Sequence, residues 1–105
     1  MDPRLWALLN TAAGEVFLRR IWLDCAANVL VLECNLTANG HQNSFRLRFT
    51  DCRDLHWQAN MPDTSGGDLP ALGLFLGQAR HHRAAVIYTG GTEMSVLYGQ
   101  LELER

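Results

Sequence analysis

The sequence predicts a mostly β protein of the α+β class. One N-terminal helix should pack on a curved antiparallel sheet, or on a two-layer β-sandwich, of six to seven strands. Three observations lead there. Apolar residues recur at helical spacing only near the start of the chain, and from Glu15 onward the apolar period is two. Short turn signals separate the alternating runs: Ala26-Ala27-Asn28, Asn39-Gly40 and Gly90-Gly91. Strands and helices do not alternate, so a parallel nucleotide-binding sheet is not expected.

A single domain over residues 1–105 is expected. Residues 2–13 predict the helix, with Asp2 as cap, Pro3 at the first helical position and Gly14 as the stop. Leu5, Trp6, Leu8, Leu9, Ala12 and Ala13 fall near one face, which should dock on the core. Residues 15–59 predict two hairpins. VFLRRIWLDC is the first strand, with an inner face left ambiguous by Arg19 and Arg20. VLVLECNL is the second, with Leu30, Leu32, Cys34 and Leu36 inward. The outward Val29 and Val31 are more apolar than a lone sheet face needs and suggest a packed helix or a partner.

Asn39-Gly40 turns the chain into FRLRFT, and DLHWQA resumes after a break at Asp51–Arg53. Residues 60–68, NMPDTSGGD, predict a mobile loop. Residues 69–105 predict the C-terminal strands: LPALGLFLGQA, AVIYT and EMSVLYGQLELE. In the last of these Met94, Val96 and Tyr98 share one parity, whereas Leu101 and Leu103 share the other. A bulge at Gly99, or burial on both faces, would produce that shift. Trp22 and Trp57 are expected as partners in the core, with ample aromatic bulk around them.

Composition narrows the function. Apolar residues make up 48% and charged residues 19%, which is globular rather than disordered. The formal net charge of −2 supplies no positive field to gather nucleic acid. All nine basic residues other than histidine are arginine, as a GC-rich genome would produce. No apolar run has the length of a membrane span, and the N-terminus lacks a basic-then-apolar leader, so a cytoplasmic location is expected. Three cysteines without a CxxC pair suggest free thiols.

The stretch FRLRFTDCRDL poses the main question: phosphate site, or outer face of a sheet? Burying each of Phe45, Leu47 and Phe49 is worth about 1.5–3 kcal/mol. An exposed arginine–carboxylate pair gives at most about 1 kcal/mol. The apolar residues therefore set the orientation, and Arg46 and Arg48 face out beside the acids of other strands, Glu33, Glu102 and Glu104.

An N-terminal helix carrying Trp6, then hairpins, then a strand from Phe45 to Phe49 that breaks at Asp51 and resumes at Arg53 to Leu55, resembles small bacterial immunity-type proteins of polymorphic-toxin systems. The resemblance implies a non-catalytic protein that neutralises a partner toxin. It assigns no role to any single residue.

No catalytic constellation is expected. Cys52 has Arg53 beside it and His56 four positions on, but no nucleophile motif surrounds it. YTGGTE lacks the phosphate-loop pattern, and Ser44, Ser65 and Ser95 lack the G-x-S-x-G context. Asp51 and Asp54 read as turn aspartates. His81 and His82, flanked by Arg80 and Arg83, lack further ligands at a metal-binding spacing, so neither metal nor cofactor is expected. A modest anion contact at that cluster is the sharper alternative to a solvated turn.

The expected function is therefore a non-catalytic bacterial protein-binding domain, immunity-like. It would bind a protein partner or a second copy as a homodimer, with no nucleic acid and no membrane. Arg46, Arg48, Arg80, His81, His82 and Arg83 are the candidate ligand- or partner-binding residues, together with the edges around 60–68 and 80–83. The alternative is a curved sheet or barrel enclosing a small apolar ligand, lined by Leu32, Phe45, Leu47, Phe49 and Trp57. A small enzyme ranks last.

Overall fold

The computed structural model describes residues 3–9, 14–59, 69–76, 83–89 and 92–105. A short helix, α1 (Pro3–Leu8), precedes β1 (Glu15–Asp24), β2 (Val29–Ala38), β3 (His41–Thr50), β4 (Arg53–Ala59), β5 (Leu69–Leu76), β6 (Arg83–Thr89), β7 (Thr92–Tyr98) and β8 (Gln100–Glu104). All pairing is antiparallel. Two four-stranded sheets result, β1-β2-β3-β8 and β5-β6-β7-β4. Among the described residues they touch through Phe17 with Pro70 and Leu18 with Leu69, and do not close into a barrel. The predicted loop 60–68, the linker 77–82 and the turn at Gly90-Gly91 lie outside the described residues.

Eight strands form among the described residues rather than six to seven, because the run EMSVLYGQLELE is two strands in two sheets. β7 ends at Tyr98, and the chain crosses at Gly99 into β8. β3 and β4 cross in the same place through Asp51 and Cys52. The Gly99 N–H donates to the Thr50 carbonyl at 2.9 Å, tying the two corners together, and the Cys52 N–H donates to the Asn28 carbonyl of the β1–β2 turn at 2.9 Å. A Cβ on Gly99 would stand 3.0 Å from the Asp51 Cβ, so glycine lets the corners meet. The crossing explains the parity shift seen in the sequence. Met94, Val96 and Tyr98 face the core from one sheet, while Leu101 and Leu103, opposite Phe49 and Leu47, pack against it from the other.

Polar hairpin chemistry places the turns. Asn39 (φ 52°) and Gly40 (φ 77°) carry the two positive φ values of a type I′ turn, and Asn28 (φ 55°) closes the β1–β2 turn. The Asp24 carboxylate accepts from the Ala26 and Ala27 N–H groups there. The ambiguity at Arg19 and Arg20 is settled by a bulge. Leu18 opposes Cys34, but Arg20 opposes Glu33, so Arg19 is the extra residue. Val16 and Leu18 before it, and Ile21 and Leu23 after it, thereby keep to the face of Leu36, Cys34, Leu32 and Leu30.

The core joins both sheets to the helix. Leu30, Leu32, Cys34, Leu36, Phe45, Leu47 and Phe49 pack against Leu74, Leu76, Ala85 and Ile87 of the second sheet, with Leu5 and Leu9 from the helical end. The described helix spans Pro3–Leu8; Asp2 and residues 10–13 of the expected helix lie outside the described residues. Leu8 is exposed rather than docked, because the short helix turns Leu5 and Leu9 inward, with Trp6 packed at the edge of the core. Arg105 holds the helical end by donating from Nη2 to the Leu9 carbonyl at 2.6 Å.

Gly14, expected as the helix stop, also passes close to β2. A Cβ there would lie 2.9 Å from both Leu36 Cδ1 and the Thr37 carbonyl oxygen. Close passage of the chain over β2 requires glycine. Gly14→Ala is expected to lower stability by about 1–3 kcal/mol, read as a lower urea midpoint at unchanged m-value.

Candidate binding surface

The outer face of the first sheet carries the arginines, and acids meet them. One row runs Arg20, Glu33, Arg46, Glu104 across four strands; the next runs Trp22, Val31, Arg48, Glu102. Arg46 Nη2 lies 3.3 Å from Glu33, Arg20 Nε 3.7 Å from the same carboxylate, and Arg48 Nη1 3.8 Å from Glu104. These exposed pairs set register more than stability. A cleft of about 380 Å³ beside them is lined by Arg19, Arg46 and Arg105 but also by Glu33 and Glu104. It is therefore a mixed-charge surface, not an acid-free anion hollow.

The second candidate cluster is not brought into view. Arg80, His81 and His82 lie outside the described residues; Arg83 opens β6 opposite Tyr98, with its side chain outside the description. Among the described residues no group of three or more His, Cys, Asp or Glu stands together as a metal site would require.

The thiols differ in environment. Burial pushes the Cys34 thiol up to about 12, with the Glu33 carboxylate adding to the effect. Cys52 is also raised, by burial first and by Asp51, partly offset by a backbone hydrogen bond from Leu30; its Sγ donates to the Phe49 carbonyl at 3.3 Å. Neither is primed as a nucleophile, and Cys25 is exposed. Near neutral pH, a thiol reagent is expected to label Cys25 rapidly in the folded protein. Cys34 and Cys52 should react only after denaturation, and peptide mass mapping distinguishes the three. Asp51 (φ 53°) sits at the corner between β3 and β4, as a turn aspartate would, whereas Asp54 (φ 51°) lies within β4 at its register shift.

The surface that sequence reasoning missed is apolar. Trp22 and Trp57 are not core partners: they are 50% and 70% exposed. Trp22 falls on the outer face after the Arg19 bulge, under the Arg20 guanidinium, 5.2 Å from the ring centroid. Trp57 shares the inward face with Met94, but β4 is the outermost strand of its sheet and nothing described lies over it. Ile21, Leu23 and Leu55 are exposed by 36%, 47% and 37% on the same inward-facing parity. Leu23 and Leu55 line one hollow of about 180 Å³ with Cys25 and Cys52, so the apolar edges of β1 and β4 meet. Among the described residues the ladder from β1 to β5 comprises Phe17 and Leu18, and no described strand pairs with that side of Arg20 to Asp24. Parity with Arg20 and Asp24 was the available signal for Trp22; for Trp57 there was none, because sheet order is not written in alternation.

No family model matches the chain, and no curated protein matches it. Among solved structures, the chain is similar to one described as an uncharacterized protein from Neisseria gonorrhoeae, with a TM-score of 0.65 and 14% identity over 90% of this chain and 94% of that one. That likeness concerns the fold alone. No helix among the described residues is long and apolar enough to cross a membrane.

Proposed function

We propose that the chain is a non-catalytic protein-binding domain, immunity-like in its mode of action, that covers a partner with the apolar band along β1 and β4. One observation carries the reading: Ile21, Leu23, Leu55 and Trp57 stand exposed on the inward-facing parity of β1 and β4, where Leu23 and Leu55 share a hollow, with Trp22 exposed on the other face of β1, next to a well-packed core. Clustered exposed apolar side chains of this kind mark interaction sites, and tryptophan is enriched among the residues that dominate binding energy. The charged rows of the outer sheet face supply a polar rim.

The apolar-ligand reading has less support. Leu32, Phe45, Leu47 and Phe49 are packed against one another in the core, and Trp57 stands at the sheet edge. The test is co-expression of the tagged chain with each product of its neighbouring genes. Stoichiometric recovery of one product, with its toxicity suppressed, is the expected result. Recovery of the chain alone in every pairing would count against the proposal.

A further inference from the structure

We infer that the outer face of the second sheet receives an arginine side chain of the bound partner, seated beside Tyr88 on the carboxylate of Glu93. The inference rests on the proposed function for its occupant and deepens it, by giving one chemistry of the partner that meets Trp57.

The site follows from the register. Ile87, Met94 and Val96 point into the core, so Tyr88 and Val86 of β6 and Glu93 and Ser95 of β7 point out. Tyr88 stands opposite Glu93 on one side; on the other, Gln58 and His56 of β4 stand opposite Glu93 and Ser95. His56, Gln58, Glu93 and Ser95, with Trp57 of the outermost strand, line a hollow of about 350 Å³. Glu93 is the one acid in that lining, and no arginine shares it. Tyr88 flanks the hollow, 38% exposed, with the ring of Phe75 edge-on to it at 6.1 Å between centroids.

On the first sheet the chain itself brings together the groups that such a site needs. The Arg20 guanidinium lies 5.2 Å from the centroid of the Trp22 ring and 3.7 Å from the Glu33 carboxylate. A planar, weakly hydrated cation satisfies an aromatic face and a carboxylate at once, and its fork makes arginine better suited than lysine. On the second sheet Tyr88 and Glu93 supply the ring and the carboxylate as cross-strand neighbours. Among the described residues no cation stands within ion-pair distance of Glu93, whereas Glu33, Glu104 and Asp51 each meet an arginine. The rest of the sequence does not supply one at this end of the sheet. Residues 60–68 and Gly90-Gly91 contain no arginine, lysine or histidine. Arg80, His81 and His82 are tethered between Leu76 and Arg83, and Arg83 lies five residues before Tyr88 on β6, roughly 16 Å at the rise of a strand. The hollow is thus negative and walled by aromatic residues, on a chain whose net charge of −2 also favours a cation.

Titration of the isotope-labelled chain with Nα-acetyl-arginine amide, followed through the backbone amides by NMR, tests the site itself. Saturable shifts are expected at Gln58, Tyr88, Glu93 and Ser95, with a dissociation constant in roughly the millimolar range. The neutral isostere, Nα-acetyl-citrulline amide, should produce none. Glu93→Gln removes the charge and keeps the shape, and should weaken binding about tenfold or more. Tyr88→Leu removes the ring and should weaken it about threefold. Both side chains point to solvent, and circular dichroism checks that the variants fold. In the capture experiment the same two variants should bind the partner more weakly than wild type. No saturable shift, equal shifts with the citrulline probe, or undiminished binding of the arginine probe by Glu93→Gln would each overturn the inference. A partner captured equally well by wild type and Glu93→Gln, but lost with Trp57→Arg, would overturn it and leave the proposed function standing. A chain that binds the arginine probe through Glu93 but captures no partner would keep the site and remove the proposed function.

Discussion

Replacing Phe49 by alanine is expected to cost about 3–5 kcal/mol of folding stability, the largest effect of any single substitution in the core. Phe49 is fully buried at the point where both sheets converge. It sits opposite Leu30 on one side and Leu101 on the other, and its ring meets Tyr98 edge-on at 5.0 Å between centroids. Tyr98 ends β7 just before the Gly99 crossing. Truncating Phe49 therefore opens a cavity at the hinge joining the sheets, and the aromatic contact is lost with it. A domain of this size has on the order of 5–15 kcal/mol in total. The variant should show a sharply lower urea midpoint, and near-UV dichroism should report the loosened Tyr98. A cost below about 1 kcal/mol would mean that the corner is not packed as described.

The second large effect concerns binding rather than folding. Trp57→Arg should leave the urea midpoint nearly unchanged, within about 0.5 kcal/mol, because the side chain is mostly in solvent. It should nevertheless abolish capture of the partner, since an arginine would have to be desolvated against an apolar surface. Leu55→Arg, beside the hollow shared with Leu23, should act in the same direction. Separating folding from binding matters because Phe49→Ala would reduce both.

Much of this architecture was legible in the sequence. Alternation placed Phe45, Leu47 and Phe49 inside and Arg46 and Arg48 outside, since several kilocalories of apolar burial outweigh a surface ion pair. Asn28 and Asn39-Gly40 announced their turns because few other residues accept positive φ. The shift at Gly99 announced an irregularity, although not that the chain changes sheets there.

Illegible features were those decided by neighbours. Trp57 has the parity of a core residue and is exposed only because β4 is outermost. Asn35 has the parity of a surface residue, yet it is buried, with Ser44 donating to its Oδ1 at 2.9 Å across the β2–β3 ladder. Alternation specifies faces; it does not specify which strand ends a sheet or what lies over it. The candidate site shows the same division: the arginines were placed correctly on their face, while the apolar band required the strand order.

Two surfaces compete for the binding role, the paired arginines of the outer sheet face and the apolar edge of β1 and β4. The most direct measurement is the affinity of the captured partner for three versions of the chain: wild type, Trp57→Arg, and Arg46→Ala with Arg48→Ala. Loss of binding with Trp57→Arg, and near-wild-type binding with the double arginine variant, is the expected result. Full binding by Trp57→Arg together with loss in the arginine variant would contradict the assignment and move the site to the charged face.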